Sequence, residues 1–147
     1  MADSDIACAR DVVVNLLNAA VQANGMPLDF VAEKKIVPPA ERAEIQDLGL
    51  LVWVFPATAT VKRLTRGKVQ QVSTIAVGVI EAVTLAGGSP DQDRVDRLMG
   101  LAERIADYLS LTCIGDAEVS PYEPELIKEG VFLARVAADF QVMRDLP

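Results

Sequence analysis

Val69-Gln70-Gln71-Val72-Ser73-Thr74-Ile75-Ala76-Val77-Gly78-Val79-Ile80-Glu81-Ala82-Val83 decides how this chain folds. The stretch is rich in β-branched residues, has no proline and few charges, and reads as a strand. Its first half is polar and alternates loosely. Its second half, Ile75 to Ile80, is almost continuously apolar. Such a strand is half exposed at one end and covered on both faces at the other. Fifteen residues at roughly 3.3 Å each span about 50 Å, whereas a compact domain of this length is about 40 Å across. Either the strand bends, with Gly78 as a bulge, or its polar end projects beyond the core. The neighbouring residues favour projection.

Upstream, Leu50 to Phe55 (Leu-Leu-Val-Trp-Val-Phe) is apolar on both faces and reads as a buried strand whose ladder Pro56 breaks, with Ala57 to Val61 continuing in small β-compatible residues. Lys62-Arg63-Leu64-Thr65-Arg66-Gly67-Lys68 follows and holds four of the fourteen basic residues. Two strands joined by a basic, glycine-containing connection predict a long hairpin with its tip near Gly67.

Outward from the hairpin, Asp3, Ser4 and Asp5 suit a helix start. Ile6, Ala9, Val13, Leu16, Leu17, Ala20 and Val21 then recur at helical spacing until Asn24-Gly25 and Pro27. Leu28 to Val37 predicts an edge strand protected by its lysines. Ala40 to Asp47 reads as a short helix or turn. Ser89-Pro90-Asp91-Gln92 predicts a second helix start, with serine as N-cap and glutamine in a capping box. Val95, Leu98, Ala102, Ile105, Ala106 and Leu109 form its apolar stripe, ending near Leu111. Ala117 to Tyr122 holds room for a short strand. Gly130 to Arg144 predicts a long final strand, with Phe132, Ala134, Val136, Ala138, Phe140 and Val142 on one face and Arg135, Asp139 and Gln141 on the other. The order predicts one α+β domain over residues 1–147: a mainly antiparallel β-sheet, two amphipathic α-helices packed on one face, and a projecting β-hairpin. The charged opposite faces of the strands suit a subunit surface.

The 51 % hydrophobic share and mean hydropathy of +0.27 leave apolar surface to hide, which oligomerisation accomplishes. A net charge of −7 argues against a general nucleic-acid binder. Met1 to Arg10 lacks the basic start and apolar core of a signal peptide. No apolar run approaches the roughly 20 residues of a membrane helix. Cys8 and Cys113 read as buried free thiols in a reducing cytoplasm.

Chemistry is sparse. There is no histidine, which excludes a Ser-His-Asp arrangement and removes the commonest general base and metal ligand. Gly87-Gly88-Ser89 at a helix start could hold an anion, and Asp91, Asp93 and Asp96 a cation; a capped turn and a favourable helix dipole account for both. No catalytic, cofactor or metal residues are expected. The basic stretch, with Lys62, Arg63, Arg66 and Lys68, is either a solvated tip or a contact arm for an acidic partner or the next subunit.

The pattern resembles the tail terminator proteins of long-tailed, non-contractile phages over nearly the whole chain. The resemblance is carried by the opening helix, Asp29-Phe30-Val31-Ala32-Glu33-Lys34, Leu50-Leu51-Val52-Trp53-Val54-Phe55-Pro56, and Thr65-Arg66 ahead of the long strand. Leu101-Ala102-Glu103-Arg104-Ile105-Ala106-Asp107-Tyr108-Leu109 and a last strand bearing Phe132 and Phe140 complete it. It implies a structural virion subunit without enzymatic activity or cofactor. Such a subunit forms a hexameric ring that caps the tail tube, ends its polymerisation and presents the head-joining surface. The implied partners are further copies, the tail tube protein and a head-completion protein. The implied location is the virion head–tail interface after assembly in the bacterial cytoplasm, with DNA passing through the ring but no sequence-specific nucleic-acid contact and no membrane. The candidate interface residues are Lys62, Arg63, Arg66 and Lys68 at the tip and Arg135 and Asp139 on the last strand. The family carries charge in the second half of the long middle strand, where Ile75 to Ile80 here is apolar. Other readings are a different head–tail connector or stopper, a tail-tube subunit, or a small-ligand- or peptide-binding α+β module.

Overall fold

The computed structural model describes residues 5–34, 49–83, 85–86, 89–112, 117–119 and 130–145. Its elements are α1 (Asp5–Gln22), β1 (Ala32–Lys34), β2 (Leu51–Arg63), β3 (Lys68–Ala82), β4 (Leu85–Ala86), β5 (Ser89–Pro90), α2 (Gln92–Thr112), β6 (Ala117–Val119) and β7 (Val131–Asp145). Asp3, Ser4, the 40–47 segment, Gly87, Gly88 and Cys113 lie outside the described residues.

The long strand is the centre of a five-stranded sheet, ordered β1-β2-β3-β7-β6. β3 pairs antiparallel with β2 from Ile80↔Leu51 to Val69↔Arg63, and with β7 without interruption from Ala82↔Val131 to Lys68↔Asp145. β7 thus accompanies β3 to the connection at residues 64–67, so a three-stranded ribbon stands where the sequence predicts a two-stranded hairpin. Gly78 is not a bulge. It sits in regular register between Trp53 and Arg135. The irregularity lies on β2, between Pro56 and Thr58, where Ala57 is the extra residue. Proline cannot donate to a ladder, and the extra residue lets the strand resume pairing beyond it.

One pairing departs from the antiparallel expectation. β1 runs parallel to β2, with Ala32↔Val52 and Lys34↔Val54. Sixteen residues, 35–50, separate the two strands, and a crossover of a dozen or more is what a parallel neighbour requires. The sheet is therefore mixed, and mostly antiparallel.

Alternation sends Val52 and Val54, Ile75, Val77 and Val79, and Phe132, Ala134 and Val136 to one face. Both helices cover that face. α1 packs on β1, β2 and β3 through Val13 and Leu17; α2 packs on β7 and β6 through Leu98, Leu101, Ile105 and Leu109. Each such side chain, taken fully out of water, contributes roughly 1.5–3 kcal/mol. Cys8 lies off this stripe and is exposed rather than buried.

The helix ends follow local chemistry. α1 closes in a Schellman motif: the Gly25 N–H bonds the Ala20 carbonyl at 2.8 Å, the Asn24 N–H bonds that of Val21 at 3.1 Å, and Asn24 takes the left-handed conformation at φ 58°. A Cβ on Gly25 would sit 3.2 Å from the Ala20 oxygen, so glycine follows asparagine there. α2 is capped by Asp91, whose Oδ1 accepts from the Arg94 N–H at 3.3 Å. Ser89 is not the N-cap. Ser89 and Pro90 pair with Leu85 and Ala86 in a two-residue ladder, which delays the helix to Gln92.

Candidate assembly surface

The sheet face that neither α1 nor α2 covers and the β2–β3 connection hold every candidate interface residue. At the connection, the Leu64 and Thr65 N–H groups both donate to the Lys68 carbonyl, at 3.0 and 3.3 Å. Arg63 straps the same loop. Its Nε donates to the Thr65 carbonyl at 3.2 Å and its Nη2 to that of Arg66 at 3.5 Å. Arg63 is thus part of the tip's framework, whereas Lys62, Arg66 and Lys68 are exposed and form no ion pair with a described carboxylate. Every residue from Thr58 to Lys68 is exposed. In a chain of net charge −7, the tip is a compact positive surface.

Arg135 and Asp139 lie elsewhere on the same sheet. Arg135 pairs with Gly78 and Lys62 with Gln70. Eight residues of β3 at 3.3 Å each separate the two rows by about 26 Å. Asp139, opposite Thr74, is four residues or about 13 Å from the Lys62 row, so the two groups share one sheet without touching. Asp139 is engaged, accepting from the Thr74 Oγ1 at 2.6 Å across the β3–β7 pair. The Arg135 guanidinium carbon stands 5.7 Å from the centroid of the Phe55 ring, two strands away. Gly78 lies beneath that contact, with the Phe55 ring edge 3.7 Å from the position its Cβ would occupy, an ordinary packing distance.

Around Arg135 the sequence reading missed the most informative feature. Leu51, Trp53 and Phe55 of β2 and Leu133 of β7 point to the face that α1 and α2 leave uncovered and are only half-buried. Leu51, Trp53 and Leu133, with Ala82 and the buried Ile80 and Val131, form a second apolar cluster separate from the main core, and the Phe55 ring lies beside it over Gly78. The Leu50–Phe55 run predicts a strand covered on both faces; its second face is in fact half open. The signal was in the run itself, since a one-sided strand needs only alternate apolar residues. Nor is the open face mainly charged. It is apolar at the base and carries threonine, glutamine and valine along the ribbon, with Glu33, Lys62, Lys68, Glu118, Arg135, Asp139 and Asp145 as its charged members among the described residues.

Asp91 and Asp96 are committed to hydrogen bonds, Asp91 to the helix end and Asp96 to the Gln92 Nε2 at 2.8 Å. Among the described residues no group of histidine, cysteine, aspartate and glutamate could hold a metal ion. No described helix is long and apolar enough to cross a membrane. No family model matches the chain, and no curated protein matches it.

Proposed function

We propose that this protein is a structural subunit that assembles with copies of itself into a ring, in the manner of a phage tail terminator. The observation that carries the reading is the open sheet face. Leu51, Trp53 and Leu133 make one half-exposed apolar patch on the face that neither α1 nor α2 covers, and such patches mark contact surfaces. A closed ring needs two different patches that meet across each subunit boundary. The apolar base and the cationic tip are two such patches, about 26 Å apart along β3. The ring would cap the tail tube and present a surface to a head-completion protein within the virion, with DNA running through its lumen and no chemistry of its own.

Light scattering after gel filtration tests this over a range of protein and salt concentrations. A discrete six-subunit species that dissolves with salt is the expected result. Arg66→Glu combined with Lys68→Glu should abolish it while the circular dichroism spectrum is unchanged. Long polymers would point to a tube subunit instead. Unchanged assembly in the charge-reversed variant would remove the tip from the interface.

A further inference from the structure

A second site with positive charge, two arginines set among the exposed carboxylates of Asp93, Asp96, Glu103 and Asp107, lies on the helix side of the molecule. A groove of ≈ 630 Å³ runs between the turn that follows α1 and the outer side of α2. Gly25, Met26 and Leu28 form one wall; Arg97, Gly100 and Arg104 form the other. Spacings of three and four place the latter trio on one side of the helix, with the arginines about 10.5 Å apart along its axis.

Three observations point to an occupant. First, the Arg104 Nε donates to the Gly25 carbonyl at 3.1 Å, which anchors the guanidinium at the groove and leaves its terminal nitrogens for another acceptor. Second, neither arginine forms an ion pair with a described carboxylate, although Asp93 lies one turn before Arg97 and Asp107 one turn after Arg104. Third, Gly100 weakens the middle of a 21-residue helix with no packing need for it. A Cβ there would meet nothing within 4 Å, so the glycine keeps a notch open between the two cations.

The notch is shallow: both arginines and Gly100 are exposed, and Met26 and Leu28 are half-buried. It suits a chain lying across it better than a molecule engulfed by it. We propose that the groove binds an acidic polypeptide segment of a partner protein. One carboxylate pairs with Arg97, a second with Arg104, and an apolar side chain between them rests over Gly100 against Met26 and Leu28. In an extended segment, residues i, i+2 and i+4 share one face over about 13 Å, so carboxylates at i and i+4 reach the two flexible guanidinium groups with the apolar side chain at i+2 between them. This site is independent of whether the subunits form a ring.

Selection of a random-peptide display library on the full chain tests the proposal. Enriched peptides are expected to carry two acidic residues around a leucine, isoleucine, methionine or phenylalanine. By fluorescence anisotropy, the affinity of a synthetic enriched peptide should fall at least about tenfold in Arg97→Glu and in Arg104→Glu. It should fall similarly in Gly100→Leu, which fills the notch and keeps both charges, with no drop in the melting temperature of any variant. Failure to enrich acidic peptides would overturn the proposal, as would binding that survives both Arg97→Glu and Gly100→Leu. Saturable binding of inorganic phosphate at the two arginines, without enriched peptides, would overturn it in favour of a small anion.

Discussion

Glu81 is a buried carboxylate in the most apolar strand of the molecule, 8 % exposed, and it survives there because of one partner. The Arg94 Nε and Nη2 donate to its two oxygens, each at 2.6 Å, a bidentate pair joining the end of β3 to the first turn of α2. The Glu81 hydrogen bond pushes the Arg94 guanidinium above its ordinary value, against the opposing effect of burial. A raised folded-state value means the stabilisation is fully present below the ordinary guanidinium range and is lost only above it, so the pair causes no alkaline loss of stability at neutral or mildly basic pH. Arg94→Met should cost about 3 kcal/mol in urea unfolding, because it strands the carboxylate. Adding Glu81→Leu to that variant should recover most of the loss; a double variant no more stable than the single one would contradict this account. Neither residue is legible from the sequence as a pair. Glu81 reads as a break in an apolar run and Arg94 as part of a solvated helix face, because thirteen residues and a change of element separate them. Asn18 is similar. Its side chain takes both main-chain groups of Ala32, at 2.7 and 3.2 Å, and closes part of the sheet edge, a role that no local pattern announces.

At the scale of elements the periodicities were readable wherever one force dominated. The alternation of β7 and the stripes of α1 and α2 appear where the sequence places them, since burial of one face governs all three. What the sequence misplaces are junctions, where two local rules compete. The sequence places the cap at Ser89, and the structure places it at Asp91. Asp91 prevails because Ser89 and Pro90 are drawn into the ladder with Leu85 and Ala86. The bulge falls at Ala57 rather than Gly78 because Pro56, not the glycine, forbids a regular ladder. The cap is directly testable. Asp91→Ala should lower stability by about 1 kcal/mol, and Ser89→Ala should stay within about 0.5 kcal/mol of the wild type. The reverse order in thermal or urea unfolding would restore serine as the cap. At the ribbon tip, Arg63→Ala should speed hydrogen exchange of the loop amides by removing the strap across residues 65 and 66, and Arg66→Ala should not.

For the whole molecule, the question is how a sheet covered by helices on one face uses the other. Two patches on one subunit can generate either a head-to-tail assembly, in which the apolar base meets a neighbour's tip, or a two-fold one, in which like meets like. The two differ in a way that mixing reveals. Leu133→Lys should disable the base, and Arg66→Glu with Lys68→Glu should disable the tip. Both sites are half-buried or exposed, so the monomer should keep its fold. In a head-to-tail ring each variant alone is monomeric, because every contact needs both patches. Mixed in equal amounts, the intact tip of one fits the intact base of the other, and assembly stops at a heterodimer, since both remaining ends are disabled. In a two-fold arrangement each variant alone would still pair through its surviving patch, and mixing would add nothing. Sedimentation of the two variants, separate and combined, therefore decides between them. A heterodimer that weakens with salt supports the ring, because the contact includes exposed charge and is screened. Homodimers of either variant would rule the ring out, since a subunit that pairs with itself through one patch cannot close head to tail through that patch.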